Sequence, residues 1–164
     1  MVIRNIVFLC TANSARSIMA ESIFNYLTPR EFSVYSAGSK SSGVVNEYAL
    51  RFLESKKIPT QGVTSKSLEQ LPFTLQKDDL VIAVCGGAID DVCPLPNFNA
   101  QVLRLILPDP AVPGSSEQDA TKFFSEVGNY LYDVLPQLLK MLRANISLSE
   151  INEHFAKAEK PTLA

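Results

Sequence analysis

The sequence lacks an excess of positive charge and any long apolar run. Fifteen Lys and Arg residues stand against 17 Asp and Glu residues, for a formal net charge of −2. Because no basic field is available to hold a phosphate backbone, we expect no nucleic-acid partner. The longest apolar runs, residues 6–10 and 80–85, have the length of a strand and are too short to span a membrane. We therefore expect no membrane partner either.

Cysteine and histidine are also scarce. Three cysteines are too few, and odd in number, for a disulfide framework. The C-x2-C spacing of zinc sites is absent and the single histidine, His154, lies near the C-terminus, so we expect no metal site. The first five residues carry no apolar core of a signal peptide, which favours a cytoplasmic location. The cysteines are then either buried apolar residues or reactive thiols.

What the sequence does contain is an alternation of strand and helix patterns. Its 164 residues, 46% of them hydrophobic, are typical of one globular domain. A first helical pattern begins after Ser17, its predicted N-cap, and a second lies between Val45 and Leu53. A third, longer pattern includes Pro136, where we expect a kink. Strand-like runs cover residues 2–9, 32–36, 80–85 and 102–107. We predict a small three-layer α/β sandwich with a four-stranded, mostly parallel sheet in residues 1–144, and an appended C-terminal helix or tail in residues 145–164.

A thiol and a guanidinium flank the turn after the first predicted strand. A tight loop between a strand and a helix can direct successive backbone N–H groups at a tetrahedral oxyanion, and the helix dipole adds positive charge. Arg16 suits this role because its planar fork binds two oxygens at once. Such surroundings lower the pKa of a cysteine, so Cys10 needs no histidine as its base. The predicted oxyanion site consists of Cys10, Thr11, Ala12, Asn13, Ser14, Ala15, Arg16 and Ser17.

This loop, followed by Met19-Ala20-Glu21, resembles the low-molecular-weight protein tyrosine phosphatase superfamily, which includes the thioredoxin-type arsenate reductases. The resemblance covers roughly residues 3–142 and implies a phosphatase-like fold. The matches that favour the reductase branch are Ser36-Ala37-Gly38, Val45-Asn46, Ser65-Lys66-Ser67, Cys85 with Cys93-Pro94, and Pro108-Asp109-Pro110-Ala111.

The resemblance implies reduction of arsenate to arsenite by a three-cysteine relay. Cys10 would attack arsenate, Cys85 would attack Cys10, and Cys93 would resolve the resulting disulfide. Asp109, held between two prolines, would be the general acid. No bound cofactor is expected, and thioredoxin or glutaredoxin with glutathione would supply electrons. Seven residues separate Cys85 from Cys93, whereas many thioredoxin-coupled relatives have six, so the identity of the reductant stays open.

The spacing of Cys85 and Cys93 sets a geometric requirement. Eight residue steps cover about 26 Å along a strand and about 12 Å along a helix. A disulfide needs Cα atoms about 4.4–6.8 Å apart. The segment must therefore loop back or rearrange, and Gly86, Gly87 and Pro94 favour a mobile loop there. The alternative is that Cys85 is a small buried residue and Cys93 an incidental thiol.

The resemblance also implies a network that supports the loop. Asn13, Glu21 and Ser36 match positions that bind potassium in some arsenate reductases, so a potassium ion is a candidate ligand. A fourth ligand, expected to be a carboxylate, is not evident in the sequence. The Lys66 ammonium is a candidate to occupy the cation site and pair with Glu21. The alternative for Lys66 is a solvated surface side chain.

Two other functions fit the same residues. A low-molecular-weight phosphatase would hydrolyse phosphate monoesters through a cysteinyl-phosphate, because the anion loop and Asp109 serve both reactions. Such phosphatases usually carry an aromatic residue soon after the Asp-Pro pair, where this sequence has Ala111, Val112 and Pro113, and this favours the reductase. An oxyanion-binding or redox-sensing module without turnover is the non-enzymatic alternative, and Asp109 would then be an ordinary turn residue.

Overall fold

The computed structural model describes residues 2–92 and 98–163. Four strands form one sheet in the order β2-β1-β3-β4, and each neighbouring pair is parallel. The predicted α/β sandwich is confirmed, with a sheet that is parallel throughout. The strands are β1 (Asn5–Cys10), β2 (Ser33–Gly38), β3 (Leu80–Ala83) and β4 (Gln101–Arg104). The α-helices are α1 (Arg16–Leu27), α2 (Glu47–Ser55), α3 (Gly86–Val92), α4 (Glu117–Arg143) and α5 (Leu148–Lys157).

The sheet is buried on both faces because its strands carry apolar side chains at successive positions. In β1, Ile6 and Phe8 belong to the core shared with α1, α2, α4 and α5. Val7 and Leu9 point to the opposite face, where α3 and the segment 68–75 cover them. Alternation of side chains along a strand thus divides one apolar run between two cores. The layers are helix, sheet and a thinner helical layer.

The strand order creates a crevice at the carboxyl end of the sheet. From β1 the chain crosses through α1 to β2 on one side, and β3 pairs with β1 on the other side. Ligands of open parallel sheets bind where the winding direction changes in this way. Cys10 ends β1, and Cys85 follows β3 by two residues. The fold therefore brings two cysteines that are distant in sequence to the same crevice.

Two local expectations were wrong. Helix α1 begins at Arg16 with Ala15 as its N-cap and has no side-chain cap, so Ser17 is not the cap. Ser17 is instead fully buried and accepts a hydrogen bond from Asn13 Nδ2 at 2.8 Å. Residues 86–92, expected as a mobile loop, form α3, because three apolar side chains of this segment are buried against the sheet.

The long helix α4 runs through Pro136 as one continuous element of 27 residues. Its N-terminus is capped by Ser116, whose side chain accepts a hydrogen bond from the Asp119 amide. Gly128 allows α2 to approach, since a Cβ there would lie 2.5 Å from the Phe52 ring. Within residues 2–92 and 98–163 no helix has both the length and the apolarity that a membrane crossing needs.

The C-terminal helix α5 covers the outer side of β4, which is the last strand of the sheet. The Asn152 side chain accepts a hydrogen bond from the Arg104 amide at 2.8 Å and donates one to the Val102 carbonyl at 3.3 Å. Ile151 and Phe155 are buried in the core that α1 and α4 share. Helix α5 therefore satisfies two outward-facing backbone groups of β4 and adds to the main core.

Candidate functional site

The loop between β1 and α1 is held open by hydrogen bonds to its outer side. In a trans peptide bond, the C=O of one residue and the N–H of the next residue point in opposite directions. A carbonyl that points out of the loop therefore leaves the following N–H pointing into it. The described residues contain no cis peptide bond. The carbonyl oxygens of Cys10, Thr11, Ala12 and Ser14 accept hydrogen bonds at 2.8–3.0 Å from the amides of Ser39, Lys40, Ser42 and Asn46, in that order. The loop therefore presents several N–H groups to its interior, as an oxyanion site requires.

Arg16 lies in the first turn of α1 and its guanidinium is directed at the same crevice. Nη1 donates to the Leu107 carbonyl at 3.0 Å, and Nη2 lies 3.7 Å from Asp109 Oδ2. Nε is buried, and no described residue accepts its hydrogen bond. A buried N–H without an acceptor is unfavourable, and a bound oxyanion would satisfy it. The role of Arg16 as the anion-binding side chain stays a prediction, and its unpaired Nε is a group that an anion could accept a hydrogen bond from.

The Cys10 thiol lies at the base of the loop and is only 4% exposed. Burial raises the pKa of Cys10, and this effect outweighs the neighbouring Arg16 guanidinium and the Thr11 amide, which act in the opposite direction. The sequence predicted a lowered pKa from the loop and the helix dipole. The difference arises because the sulfur is buried, and the cost of placing a negative charge away from water exceeds the attraction of Arg16.

Cys85 lies beside Cys10, and its surroundings act in the other direction. Thr11 Oγ1 and Cys85 Sγ are 3.2 Å apart. Partial burial opposes ionisation of Cys85, but the Thr11 hydroxyl, the Ala88 amide and the charge of Arg16 together lower its pKa. The Thr11 contact was not predicted, since no local pattern links two residues that are 74 positions apart. Cys85 is thus the more readily ionised of the two thiols.

Asp109 faces the site from the loop after β4. Its Oδ1 accepts a hydrogen bond from the Ala111 amide at 3.0 Å, which stabilises the turn between the prolines. Its other oxygen, Oδ2, lies 3.7 Å from Arg16 Nη2, and the side chain is 57% exposed. The turn role and the place beside the anion loop therefore coexist in one residue.

Asn13 organises the inner wall of the loop. It is fully buried and has a φ of 48°, a left-handed conformation that asparagine tolerates better than most residues. Its Nδ2 donates to Ser17 Oγ at 2.8 Å and to Ser36 Oγ at 3.0 Å. Its Oδ1 accepts a hydrogen bond from the Lys66 amide at 2.8 Å. Asn13 therefore links the loop to α1, to β2 and to the segment around Lys66.

Glu21, Ser36 and Lys66 form a polar cluster behind Asn13. Ser36 Oγ donates to Glu21 Oε2, and Lys66 Nζ lies 3.7 Å from the same carboxylate oxygen. Burial raises the pKa of Glu21, while the Ser36 hydroxyl and the Lys66 ammonium oppose this rise. The Lys66 side chain is 18% exposed, so it is paired with Glu21 rather than solvated. The structure brings together all four residues of the predicted support network.

Gly38 is required where β2 ends against the anion loop. A Cβ at this position would lie 2.6 Å from the Thr11 carbonyl oxygen and 3.1 Å from the Asn13 backbone nitrogen. The Gly38 amide also donates to the Lys66 carbonyl at 2.8 Å. Any side chain here would displace the loop, a role that the Ser-Ala-Gly match did not reveal.

Cys93 lies outside the described residues, so the structure describes two of the three predicted relay cysteines. Among the residues that are described, no group of three or more His, Cys, Asp or Glu side chains is placed to hold a metal ion. The described part of the candidate site comprises the anion loop with Arg16, the thiols of Cys10 and Cys85, and Asp109 at the rim.

The chain is similar to known phosphatases and arsenate reductases in sequence and in fold. The family model described as low molecular weight phosphotyrosine protein phosphatase matches residues 5–148. An arsenate reductase of Halalkalibacterium halodurans is 37% identical over 122 residues, which cover 74% of this chain and 85% of that protein. The crystal structure of a YwlE mutant from Bacillus subtilis aligns with a TM-score of 0.68 at 27% identity, covering 85% of this chain and 99% of that one. A thioredoxin-dependent arsenate reductase of Corynebacterium glutamicum shares the fold, with a TM-score of 0.61 at 20% identity, covering 88% and 64% of the two chains. The chain therefore belongs to the low molecular weight phosphotyrosine protein phosphatase family.

Proposed function

We propose that this protein is an arsenate reductase in which Cys10 is the nucleophile of a thiol-disulfide relay. The observation that carries this proposal is a second thiol at the site. Cys85 Sγ lies at hydrogen-bond distance, 3.2 Å, from the hydroxyl of Thr11, which follows Cys10 in the anion loop. Hydrolysis of a phosphate ester needs one thiol, whereas reduction of arsenate needs two electrons, which two thiols supply on forming a disulfide. The relative of 37% identity that is named arsenate reductase supports reduction over ester hydrolysis.

In the first step arsenate enters the loop and is held by the inward amides and Arg16. The Cys10 sulfur forms a bond to arsenic while one As–O bond breaks, and Asp109 protonates the oxygen that leaves as water. Because burial raises the pKa of Cys10, its thiol proton must be removed as substrate binds. The hydrogen arsenate dianion is a base and takes this proton.

In the second step Cys85 attacks the Cys10 sulfur. The Cys10–Cys85 bond forms, the S–As bond breaks, and its electron pair remains on arsenic, which leaves as arsenite. A thiolate is the reactive form in such exchange, and the lowered pKa of Cys85 favours that form. Thr11, next to the first nucleophile, thus acts on the second one.

In the third step Cys93 attacks Cys85, and the electron pair of the broken disulfide returns to Cys10 as a thiolate. Helix α3 occupies all the residues between Cys85 and Cys93. Eight residue steps along a helix rise about 12 Å, which is more than a disulfide allows, so the segment between the two cysteines must rearrange during this step. An external thiol, thioredoxin or glutaredoxin with glutathione, then reduces the Cys85–Cys93 disulfide.

In this proposal the support network keeps the anion loop in shape without a bound potassium ion. Lys66 Nζ, 3.7 Å from Glu21 Oε2, already places a positive charge beside that carboxylate. Its backbone amide holds Asn13, so Lys66 stabilises the loop through both its main chain and its side chain.

Three Cys→Ser variants test the relay with each reductant system. We expect Cys10→Ser to abolish turnover. Cys93→Ser should accumulate a Cys10–Cys85 disulfide after one arsenite is released, which mass spectrometry of an unreduced digest would detect. Full multiple turnover by Cys93→Ser would remove Cys93 from the relay.

The Cys85→Ser variant separates the candidate functions. It should lose arsenate reduction while keeping any hydrolysis of a phosphate monoester, because adduct formation at Cys10 needs only the anion loop. Undiminished arsenate reduction by Cys85→Ser would contradict the proposal. Steady release of arsenite by the wild type with excess reductant would exclude a module that only binds or senses oxyanions.

A further inference from the structure

A cleft of about 530 Å³ lies between one face of α1 and residues 59–63. We propose that this α1 cleft binds a small organic ammonium ion, with the charged group on the Glu21 carboxylate and the apolar body against the Tyr26 ring. The volume lies within the range of small-molecule sites. No step of the proposed relay uses the cleft, so this inference goes beyond the proposed function.

Helix α1 supplies one wall of the cleft through Glu21, Ser22, Asn25 and Tyr26. Side chains three or four positions apart are neighbours on a helix surface, with Cβ atoms about 5–6 Å apart. Glu21 and Asn25 are therefore neighbours, and so are Ser22 and Tyr26. One surface of α1 thus presents a carboxylate, an amide, a hydroxyl and an aromatic ring to the cleft.

The charge of the lining selects the sign of the ligand. Among the described residues that line the cleft, Glu21 alone is charged. A carboxylate in a recess with protein walls attracts cations more strongly than an exposed carboxylate does. Lys66 Nζ, 3.7 Å from Glu21 Oε2, does not belong to the lining. The cleft therefore favours a cation over an anion or a neutral molecule.

The Glu21 carboxylate has capacity for a further partner. Ser36 and Lys66 both contact its Oε2, and no described residue donates a hydrogen bond to its Oε1. Burial raises the pKa of Glu21 in spite of these two partners, so they do not fully offset the cost of burying its charge. An ammonium group at Oε1 would offset more of that cost.

The same wall offers acceptors for the remaining N–H groups, since an alkylammonium ion carries three donors. Asn25 Nδ2 donates to the Val34 carbonyl at 3.4 Å, which leaves Asn25 Oδ1 as an acceptor. The Ser22 hydroxyl has no hydrogen-bond partner among the residues that the structure describes. Glu21, Asn25 and Ser22 thus offer one acceptor each.

The remainder of the cleft suits an apolar body. Pro29, Pro59 and Val63 add apolar surface to the lining. Tyr26 is 52% exposed, and its ring contacts no other ring or cation in the described part of the chain. An aromatic face attracts an organic cation, because the ring carries negative charge on its face. A hydrated metal ion would make no use of these apolar walls.

The test is an NMR titration of the full chain, in which amide chemical shifts report where a ligand binds. The probe is benzylammonium, and benzyl alcohol and benzoate are its neutral and anionic counterparts of similar shape. We expect saturable shifts in residues 21–26 and 59–63 with benzylammonium, and dissociation constants at least about tenfold larger for the two counterparts. Equal affinity for benzyl alcohol, or shifts confined to other parts of the chain, would overturn the proposal.

Two variants test the two ends of the ligand separately. Glu21→Gln should weaken benzylammonium binding about tenfold or more, because the charged acceptor is lost. Tyr26→Ala should weaken it about two- to fivefold, because the aromatic face is lost. The matched controls are Glu54→Gln, an exposed carboxylate on α2, and Tyr132→Ala, an exposed ring on α4, and neither should change the affinity.

A third variant leaves the carboxylate in place, because Glu21 also belongs to the network that supports the anion loop. Val63→Phe puts a ring into the cleft, so it should weaken benzylammonium binding without changing arsenate reduction. Wild-type affinity in both Val63→Phe and Tyr26→Ala would overturn the cleft as the site. The titration needs no turnover, so a wild type that fails to reduce arsenate would overturn the proposed function and leave this inference standing.

Discussion

At the scale of single residues, one loop shifts the pKa values of two thiols in opposite directions. Burial raises the pKa of Cys10, whereas the Thr11 hydroxyl and the Ala88 amide lower that of Cys85 against the effect of its partial burial. The anion-free enzyme therefore holds Cys85 in the more reactive form. In the proposed relay, Cys10 would therefore lose its proton as the oxyanion binds.

Limited alkylation of a Cys93→Ser variant in the absence of oxyanion measures this order. Iodoacetamide near neutral pH should modify Cys85 before Cys10, because the thiolate is the reactive form. The pH midpoint for Cys85 should lie below that of an ordinary thiol and the midpoint for Cys10 above it. Thr11→Val should raise the Cys85 midpoint. Peptide mass mapping that shows Cys10 to be modified first would contradict this order.

Lys66 should control the protonation of buried Glu21. Because the pKa of Glu21 is raised in the folded state, its stabilising contribution is complete below the ordinary glutamate pKa and is lost as pH rises through the folded value. Lys66→Met removes the positive charge that opposes this rise, so the pKa of Glu21 in the folded state rises further. The loss of stability with increasing pH then extends to higher pH. Near pH 7 we expect the variant to lose about 1–3 kcal/mol of unfolding free energy, and less near pH 4.

Urea unfolding across this pH range, with Lys40→Met as an exposed control, measures the effect of Lys66. The wild type should show no dependence on added potassium, because the ammonium already occupies the place beside Glu21. A loss of stability that is equal at all pH values would point to packing rather than to the charge. A strong dependence of the wild type on potassium would count against the role of Lys66.

At the scale of elements, the sequence predicted those whose pattern agrees with their environment. The runs at residues 2–9 and 80–85 predicted the buried strands β1 and β3, although β1 begins three residues later and ends one residue later than its run and β3 ends two residues earlier. The period of α4 predicted its buried face. Helix α3 could not be predicted, because glycine and aspartate disfavour a helix and only the burial of Ala88, Ile89 and Val92 compensates. Tertiary contacts decided the outcome there.

We propose that α5 and residues 1–144 unfold as one cooperative unit. Phe155 is 2% exposed and lies in the core shared with α4, and Asn152 bonds the backbone of β4. Phe155→Ala should therefore lower the free energy of unfolding by about 3–5 kcal/mol in a single transition. Exposed Glu153→Ala should change it by less than about 0.5 kcal/mol. A separate transition for α5, or a loss below about 1 kcal/mol for Phe155→Ala, would favour an independent appendage.

At the scale of the whole molecule, the sequence predicted which residues meet better than it predicted how they touch. The resemblance implied that Cys10 and Cys85 meet, and the gathering of strand ends at one crevice of a parallel sheet is the physical reason that they do. The bonds between Thr11 and Cys85, and between Arg16 and the Leu107 carbonyl, join residues 74 and 91 positions apart. Such contacts depend on the packing of side chains, which leaves no periodic signal.

The opposite end of the sheet is fixed by a buried carboxylate. Asp79 is fully buried and accepts hydrogen bonds from Asn5 Nδ2 and from the Gln76 amide, both at 2.8 Å. Asp79 directly precedes β3, and its bond to Asn5 joins it to the first residue of β1. Both described cysteines lie at the far end of these strands, so the thiol chemistry of the proposed relay would take place away from this anchor. Repeated cycles of the proposed relay would then leave this anchor intact, and the oxidised protein should resist aggregation about as well as the reduced one.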